Sequence, residues 1–249
     1  MGRASFRFYA ELNDHLPREQ QYKTLEKSFF TPAAVKDLIE SFGVPHTEVD
    51  LITANGRPVG FSYLVQSGDR IAVYPTFESF DVAGEQRLRP EPLRNPRFIL
   101  DVHLGKLAGY LRMLGFDAQY ERSLTDAQLA QISVNEHRIL LTRDRGLLKH
   151  GVITHGYWVR ETNSRRQIAE VIHRFDLGRA IRPFTRCMAC NGVLESISKE
   201  QAQILVPAGH SIEQYDEFHR CRQCGRVYWK GSHYARMRRW IEELAPGQD

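Results

Sequence analysis

Two pairs of cysteines, Cys187-Met-Ala-Cys190 and Cys221-Arg-Gln-Cys224, constrain this chain more than any other feature. Each C-x-x-C lets two thiolates of one tight turn reach the same ion, and a tetrahedral Zn²⁺ is completed by two such turns. The 30 residues between Cys190 and Cys221 are enough for strands to lead out and back, as in a zinc ribbon. Asn191-Gly192 and Gly225 provide turn chemistry directly after each pair. Cys187, Cys190, Cys221 and Cys224 are therefore assigned as ligands of a structural Zn²⁺, with His219 and His233 surplus to a closed four-thiolate site. No stretch approaches the ~20 apolar residues of a spanning helix, and the start MGRASFRFYAEL lacks the apolar run of a secretory signal. The expectation is a cytoplasmic protein without a membrane segment, in a setting where paired cysteines bind metal rather than form disulfides.

Upstream of the cysteines, residues 97–180 alternate short apolar strands with amphipathic helices, the pattern of parallel βαβ units. Strands are predicted near Arg97–Leu100, Asp117–Tyr120, Arg138–Thr142 and Gly156–Arg160. Leu104, Leu107, Leu111 and Leu114 recur at helical spacing before Gly115, and Ile168, Val171, Ile172 and Phe175 mark a later buried face. Thr125 with Gln128, and Ser164 with Gln167, read as capping boxes.

In an open parallel sheet, ligands bind beyond the carboxyl ends of the strands. Asp101 directly follows the first strand, Asp144 follows Thr142 by two residues, and Asp126 lies in the first turn of the helix after the second strand. The three are expected on one sheet edge. Carboxylates a few ångströms apart repel, and a bound Mg²⁺ or Mn²⁺ removes the conflict. Such an ion activates water for attack on a phosphodiester, which makes Asp101, Asp126 and Asp144 the candidate catalytic residues. Asp126 also reads as a partner of the helix dipole, and Asp101 and Asp144 as turn-holding loop residues. Lys106, Arg112 and Arg143 are the candidate substrate contacts, while Asp117 begins a strand at the opposite edge and reads as structural.

The first 82 residues read as a separate small α+β domain. Ser5 to Ala10 alternate in strand fashion, a second extended stretch runs near Tyr22 to Phe29, and a helix follows with Thr31 as N-cap and Gly43 as its end. Asn55-Gly56 signals a hairpin turn before the Arg70–Tyr74 strand. Residues 83–96, with Gly84, Pro90, Pro92 and Pro96 among charges, read as a linker. The remaining boundaries fall at 97–180 for the parallel domain and 181–249 for the ribbon and its tail. Charge divides along the same lines: 11 basic and 13 acidic residues up to Pro96, leaving 23 and 17 of the whole-chain 34 and 30. From Phe218 to Ile241 seven Arg and Lys occur without an acid, interleaved with Tyr228, Trp229, Tyr234 and Trp240. Basic and aromatic residues mixed in this way suit phosphate pairing and base stacking.

Four motifs together resemble the Mut-seven-C ribonuclease domain family, a PIN-like nuclease fold joined to a zinc ribbon. They are Asp101-Val-His-Leu-Gly-Lys-Leu-Ala-Gly-Tyr-Leu-Arg-Met-Leu-Gly-Phe-Asp117, Leu141-Thr-Arg-Asp-Arg-Gly-Leu147, Cys187-Met-Ala-Cys-Asn-Gly192 and Cys221-Arg-Gln-Cys-Gly-Arg-Val-Tyr-Trp-Lys-Gly-Ser-His233. The N-terminal domain resembles the ubiquitin-like, sulfur-carrier-like β-grasp partner found in that family. The resemblance implies an α/β chain with three modules and a metal-dependent nuclease acting on single-stranded RNA, with Asp101, Asp126 and Asp144 at the acidic positions. PIN-like sites commonly carry a fourth acid, and only Glu161 offers itself here. The alternative is a non-catalytic RNA-binding adaptor built on the ribbon, with the ubiquitin-like domain recruiting protein partners.

Overall fold

The computed structural model describes residues 1–75, 96–207 and 212–244. In chain order these contain β1 (Gly2–Phe8), β2 (Thr24–Phe29), α1 (Val35–Ser41), β3 (Val49–Ala54), β4 (Arg57–Pro58), β5 (Arg70–Pro75), β6 (Arg97–Leu100), α2 (Gly105–Met113), β7 (Asp117–Tyr120), α3 (Asp126–Asn135), β8 (Ile139–Thr142), β9 (Gly156–Trp158), α4 (Ser164–Arg174), β10 (Leu194–Ile197), α5 (Lys199–Leu205), β11 (Phe218–Cys221), β12 (Val227–Trp229) and α6 (Ser232–Leu244). The chain forms two compact units, Met1–Asn95 with Leu124–Trp158, and Pro96–Ser123 with Val159–Asp249. The segment read as one parallel domain, 97–180, thus contributes to both units. The expected linker lies outside the described residues apart from Pro96.

In the first unit, β1 alternates as read: Ala4, Phe6 and Phe8 are buried while Ser5 and Arg7 face outward. The sheet runs in the order β2-β1-β5-β3-β4, with β1 and β5 parallel and the other pairs antiparallel. Val35, Leu38 and Ile39 of α1 join Phe6, Phe8, Ile52, Ile71 and Val73 in one apolar core, which is the β-grasp arrangement. Asn55 and Gly56 both take positive φ, 54° and 82°, as a type I′ hairpin turn between β3 and β4 needs. The helix start departs from the reading. Its N-cap is Ala34, without a side-chain cap, because the preceding backbone is engaged in a bridge: Ala33 O accepts from Val65 N–H and Val35 N–H donates to Tyr63 O. The same unit holds β8 and β9, a parallel pair with Leu140 opposite Gly156 and Thr142 opposite Trp158. Ile139 to Thr142 are all buried, as a strand covered on both faces requires. The Thr125–Gln128 capping box of α3 is present in full.

In the second unit β6 and β7 pair in parallel, Arg97 opposite Asp117 and Leu100 opposite Tyr120. Leu104, Leu107, Leu111 and Leu114 are fully buried, and Gly115 closes α2 at φ 95°. A Cβ there would stand 2.0 Å from the Arg182 carbonyl oxygen, so only glycine fits. The cap of α4 is Asn163 rather than Ser164, its Oδ1 accepting from Arg165 N–H (3.0 Å) and Arg166 N–H (3.4 Å). Strands β10, β11 and β12 form an antiparallel sheet in that order, over a small core of Ala202, Ile212 and Phe218 flanked by Trp229 and Tyr215.

Candidate functional site

Two turns of the same design carry the cysteines. Asn191 N–H donates to Cys187 O at 2.9 Å and Gly225 N–H to Cys221 O at 3.0 Å, with Asn191 and Gly225 both at positive φ, 71° and 73°. Gly192 lets the two turns approach, since a Cβ there would lie 2.7 Å from Cys221 Sγ. The four thiols are unpaired by disulfide and their sulfurs lie within 4.8 Å of one another. Cys187 Sγ is 3.6 Å from Cys224 Sγ, and Cys190 Sγ is 3.4 Å from Cys221 Sγ. A tetrahedron with metal–sulfur bonds of ~2.3 Å has edges of about 3.8 Å, so this donor set fits a zinc-class ion.

The protonation pattern points the same way. Burial pushes the Cys187 thiol up, but hydrogen bonds from the Tyr228 hydroxyl at 3.0 Å and from the Cys190 and Ala189 N–H groups outweigh it and hold the thiol at about 6. Burial and the three neighbouring thiols push Cys190 up to about 12, against the Gly192 N–H. Crowded thiols compete for protons, and a dication lets all four be thiolates.

The first turn is anchored on the helix and strand beside it. Arg112, expected at the substrate, is only 5% exposed: its Nε donates to Ala118 O at 2.8 Å and its Nη1 to Met188 O at 3.2 Å and Ala189 O at 3.0 Å. That assignment is corrected, because the guanidinium is committed to the carbonyls of β7 and of the Cys187–Cys190 turn. Asp117 has the structural role read for it, Oδ1 accepting from Asn191 Nδ2 at 2.7 Å and Oδ2 lying 3.3 Å from Arg186 Nη2.

Asp101 directly follows β6, Asp144 lies two residues past β8, and Asp126 opens α3. Asp101, 4% exposed, caps a 3₁₀ turn, its Oδ1 accepting from His103 N–H at 2.8 Å. Gly105 leaves room nearby for the Tyr120 ring, whose hydroxyl donates to Val102 O at 3.2 Å. Asp144, two residues past β8, repeats the arrangement: its Oδ1 accepts from Gly146 N–H at 2.7 Å, and its own N–H donates to Thr142 Oγ1 at 2.8 Å. Asp126 is the exposed first residue of α3. Asp101 belongs to the second unit, Asp126 and Asp144 to the first.

Of the remaining candidates, Lys106 is exposed on α2 and Arg143 is half-buried. Sequence reasoning missed Glu170. Its two carboxylate oxygens accept the Arg160 and Glu161 N–H groups at 2.8 and 3.0 Å and so fix the chain where Glu161 stands. Trp240 packs edge-on to Tyr110 at 4.6 Å with Arg165 over its ring at 5.4 Å, so it holds α6 in place. A cavity of about 730 Å³ in the ribbon module is lined by Phe184, Arg186, Tyr228, Trp229, Lys230 and Tyr234, among others. No helix among the described residues is long and apolar enough to cross a membrane.

Compared with known families, residues 96–241 match the model of the Mut7-C RNAse domain. The chain belongs to the Mut7-C RNAse domain family. Residues 1–81 match the Mut7-C ubiquitin model, so the family's two modules account for most of the chain. Nothing among curated proteins matches. Among solved structures, the small archaeal modifier protein 1 of H. volcanii is 15% identical with a TM-score of 0.26, covering 31% of this chain and 100% of that one. A second structure, SAMP1 from Haloferax volcanii, is 16% identical with a TM-score of 0.25, covering 32% of this chain and 100% of that one. The β-grasp assignment rests instead on the strand order and the Mut7-C ubiquitin match.

Proposed function

We propose that this chain is a ribonuclease that hydrolyses phosphodiester bonds of single-stranded RNA with Mg²⁺ or Mn²⁺, on a PIN-like α/β module carrying a structural Zn²⁺ ribbon. The observation that carries the reading is the shared geometry of Asp101 and Asp144. Each follows a parallel strand, and each has one carboxylate oxygen held by the backbone N–H two residues on. Carboxylates fixed in this way are prepared to hold a hard cation without first losing side-chain freedom. Like Asp126, they are oxygen donors, the ligand type that Mg²⁺ or Mn²⁺ takes, whereas the cysteine cluster offers thiolates to softer ions. When bound, such an ion supplies charge stabilisation for the phosphoryl oxygens and acidifies a water. Asp101, Asp126 and Asp144 hold that ion, while Arg143 and Lys106 bind phosphate.

The ribbon supports RNA binding. Lys230 lies 5.6 Å over the Tyr234 ring, and Arg186, Phe184, Tyr228 and Trp229 line the same cavity, a mixture of cations and rings that suits single-strand binding. That cavity also favours the second reading, an RNA-binding adaptor without catalysis. Replacing Asp101 by Asn separates them: the nuclease loses metal-dependent cleavage and keeps its RNA affinity. Full cleavage by Asp101→Asn overturns the proposed site, and salt-sensitive binding with no cleavage by any variant leaves the adaptor.

A further inference from the structure

The β-grasp module and residues 124–158 belong to one unit, and the contacts joining them gather around the segment that follows Asp144. Glu48, 1% exposed, closes the 3₁₀ turn His46–Glu48 that leads into β3. Its Oε1 accepts the Trp158 N–H at 2.7 Å and its Oε2 lies 2.9 Å from His15 Nε2. Among the described residues His15 Nδ1 is buried without a hydrogen-bond partner. The Trp158 indole lies 5.1 Å from the His15 ring on one side, and the Arg145 guanidinium lies 5.1 Å over the indole. Arg145 Nη1 then donates to the His15 carbonyl at 3.2 Å.

Farther along the same segment the tethers continue. Lys149 Nζ donates to Glu40 O at 2.8 Å, and His46 Nε2 donates to Ile153 O at 3.0 Å. The other ring nitrogen of His46 is 2.6 Å from Glu40 Oε1, so both ring nitrogens face oxygen acceptors. Gly156 permits this closeness, because a Cβ there would stand 2.6 Å from Leu148 Cδ2 and 3.5 Å from the Thr47 Cβ. Buried, mutually satisfied polar groups of this kind hold a segment in one geometry, since breaking any member strands the others.

We infer that the ubiquitin-like module is a clamp on the Asp144 loop, in which Arg145, Trp158, Glu48 and His15 are positioning residues that fix the carboxylate through the backbone. The inference rests on Asp144 being a metal-holding residue. It gives the N-terminal module a role within the hydrolase itself, beyond any recruitment of partners. Arg145 is assigned to the clamp because its guanidinium engages His15 and Trp158.

The test uses the full chain and two readouts, amide hydrogen exchange of the Arg143–Lys149 segment and Mn²⁺-dependent cleavage of single-stranded RNA. In Arg145→Ala and Glu48→Ala the Gly146 amide, which reports the Asp144 hydrogen bond, should exchange about tenfold faster or more. Cleavage should fall through kcat with RNA affinity kept, and Arg145→Lys and Glu48→Gln should recover part of both. Should Glu48→Ala fail to fold, Arg145→Ala decides alone, since that side chain is exposed enough to remove without opening the core. Unchanged exchange in Arg145→Ala overturns the clamp, whatever the activity. Faster exchange with unchanged kcat overturns the positioning role, provided Asp144→Asn is inactive. A wild-type protein that cleaves nothing refutes the nuclease reading instead, and the exchange result then decides the clamp by itself.

Discussion

Replacing Arg112 by Ala tests the structural role that displaced its reading as a substrate contact. The change removes donors to three carbonyls, Ala118 O, Met188 O and Ala189 O, at a site that is 5% exposed. Water cannot replace those donors readily, and a buried acceptor left unmatched costs ~1 kcal/mol or more. With the lost packing of the buried stem, the total is about 3–5 kcal/mol. Burial already pulls the Arg112 pKa below its ordinary value, against the pull of Cys187, Cys190 and Asp117, so part of the gross gain is offset in the native protein. The melting transition of the second unit should fall by about 10 °C or more. Because Met188 and Ala189 lie inside the first cysteine turn, zinc should also be lost faster to a competing chelator. The assay pairs thermal unfolding with zinc release, and RNA binding is measured alongside. A variant that melts and holds zinc like the wild type, yet no longer binds RNA, would refute the assignment and restore the substrate contact.

Three further outcomes follow from the geometry. Removal of zinc by a strong chelator should unfold the β10–β12 module while the β-grasp core persists; a far-ultraviolet spectrum and proteolysis pattern of that module unchanged after chelation would contradict it. The Glu40 carboxyl is raised by burial, but the hydrogen bond and charge of His46 outweigh this and set it below its usual 4.5. Its stabilising effect is therefore present above about pH 4.5 and lost as pH falls through the depressed value, so Glu40→Gln should flatten the acid limb of the first unit's stability curve, and an unchanged limb would count against the pairing. Gly115→Ala places a Cβ 2.0 Å from Arg182 O at a φ of 95° and should cost about 2 kcal/mol or more, visible as a lowered melting transition; wild-type stability would show that this turn relaxes freely.

Much of the local structure was legible because local chemistry decides it. Strands β6 and β7 have the bounds read from hydrophobic runs, the Asn55-Gly56 turn has the two positive φ values its residues favour, and Thr125 and Gln128 cap each other. The departures have tertiary causes. Thr31-Pro32 looked like a helix start, but a backbone bridge to residues 63–65 keeps the chain extended until Ala34. Arg112 looked like a surface cation, and only the cysteine turn 76 and 77 residues away shows where its guanidinium goes. The His15–Glu48 pair and the Glu48–Trp158 bond span 33 and 110 residues, separations at which no periodicity or spacing rule operates. For the candidate site, the cysteine cluster was readable because C-x-x-C spacing reports geometry directly, whereas the aspartates were readable only as positions relative to strands.

Incubation of the full chain with labelled single-stranded RNA, in Mn²⁺ and in EDTA, beside Asp144→Asn at equal zinc content, decides whether the aspartates carry a metal-dependent nuclease. The wild type should cleave in Mn²⁺ alone, the variant should not cleave, and both should bind RNA with equal affinity. Cleavage that persists in Asp144→Asn would contradict the proposed site.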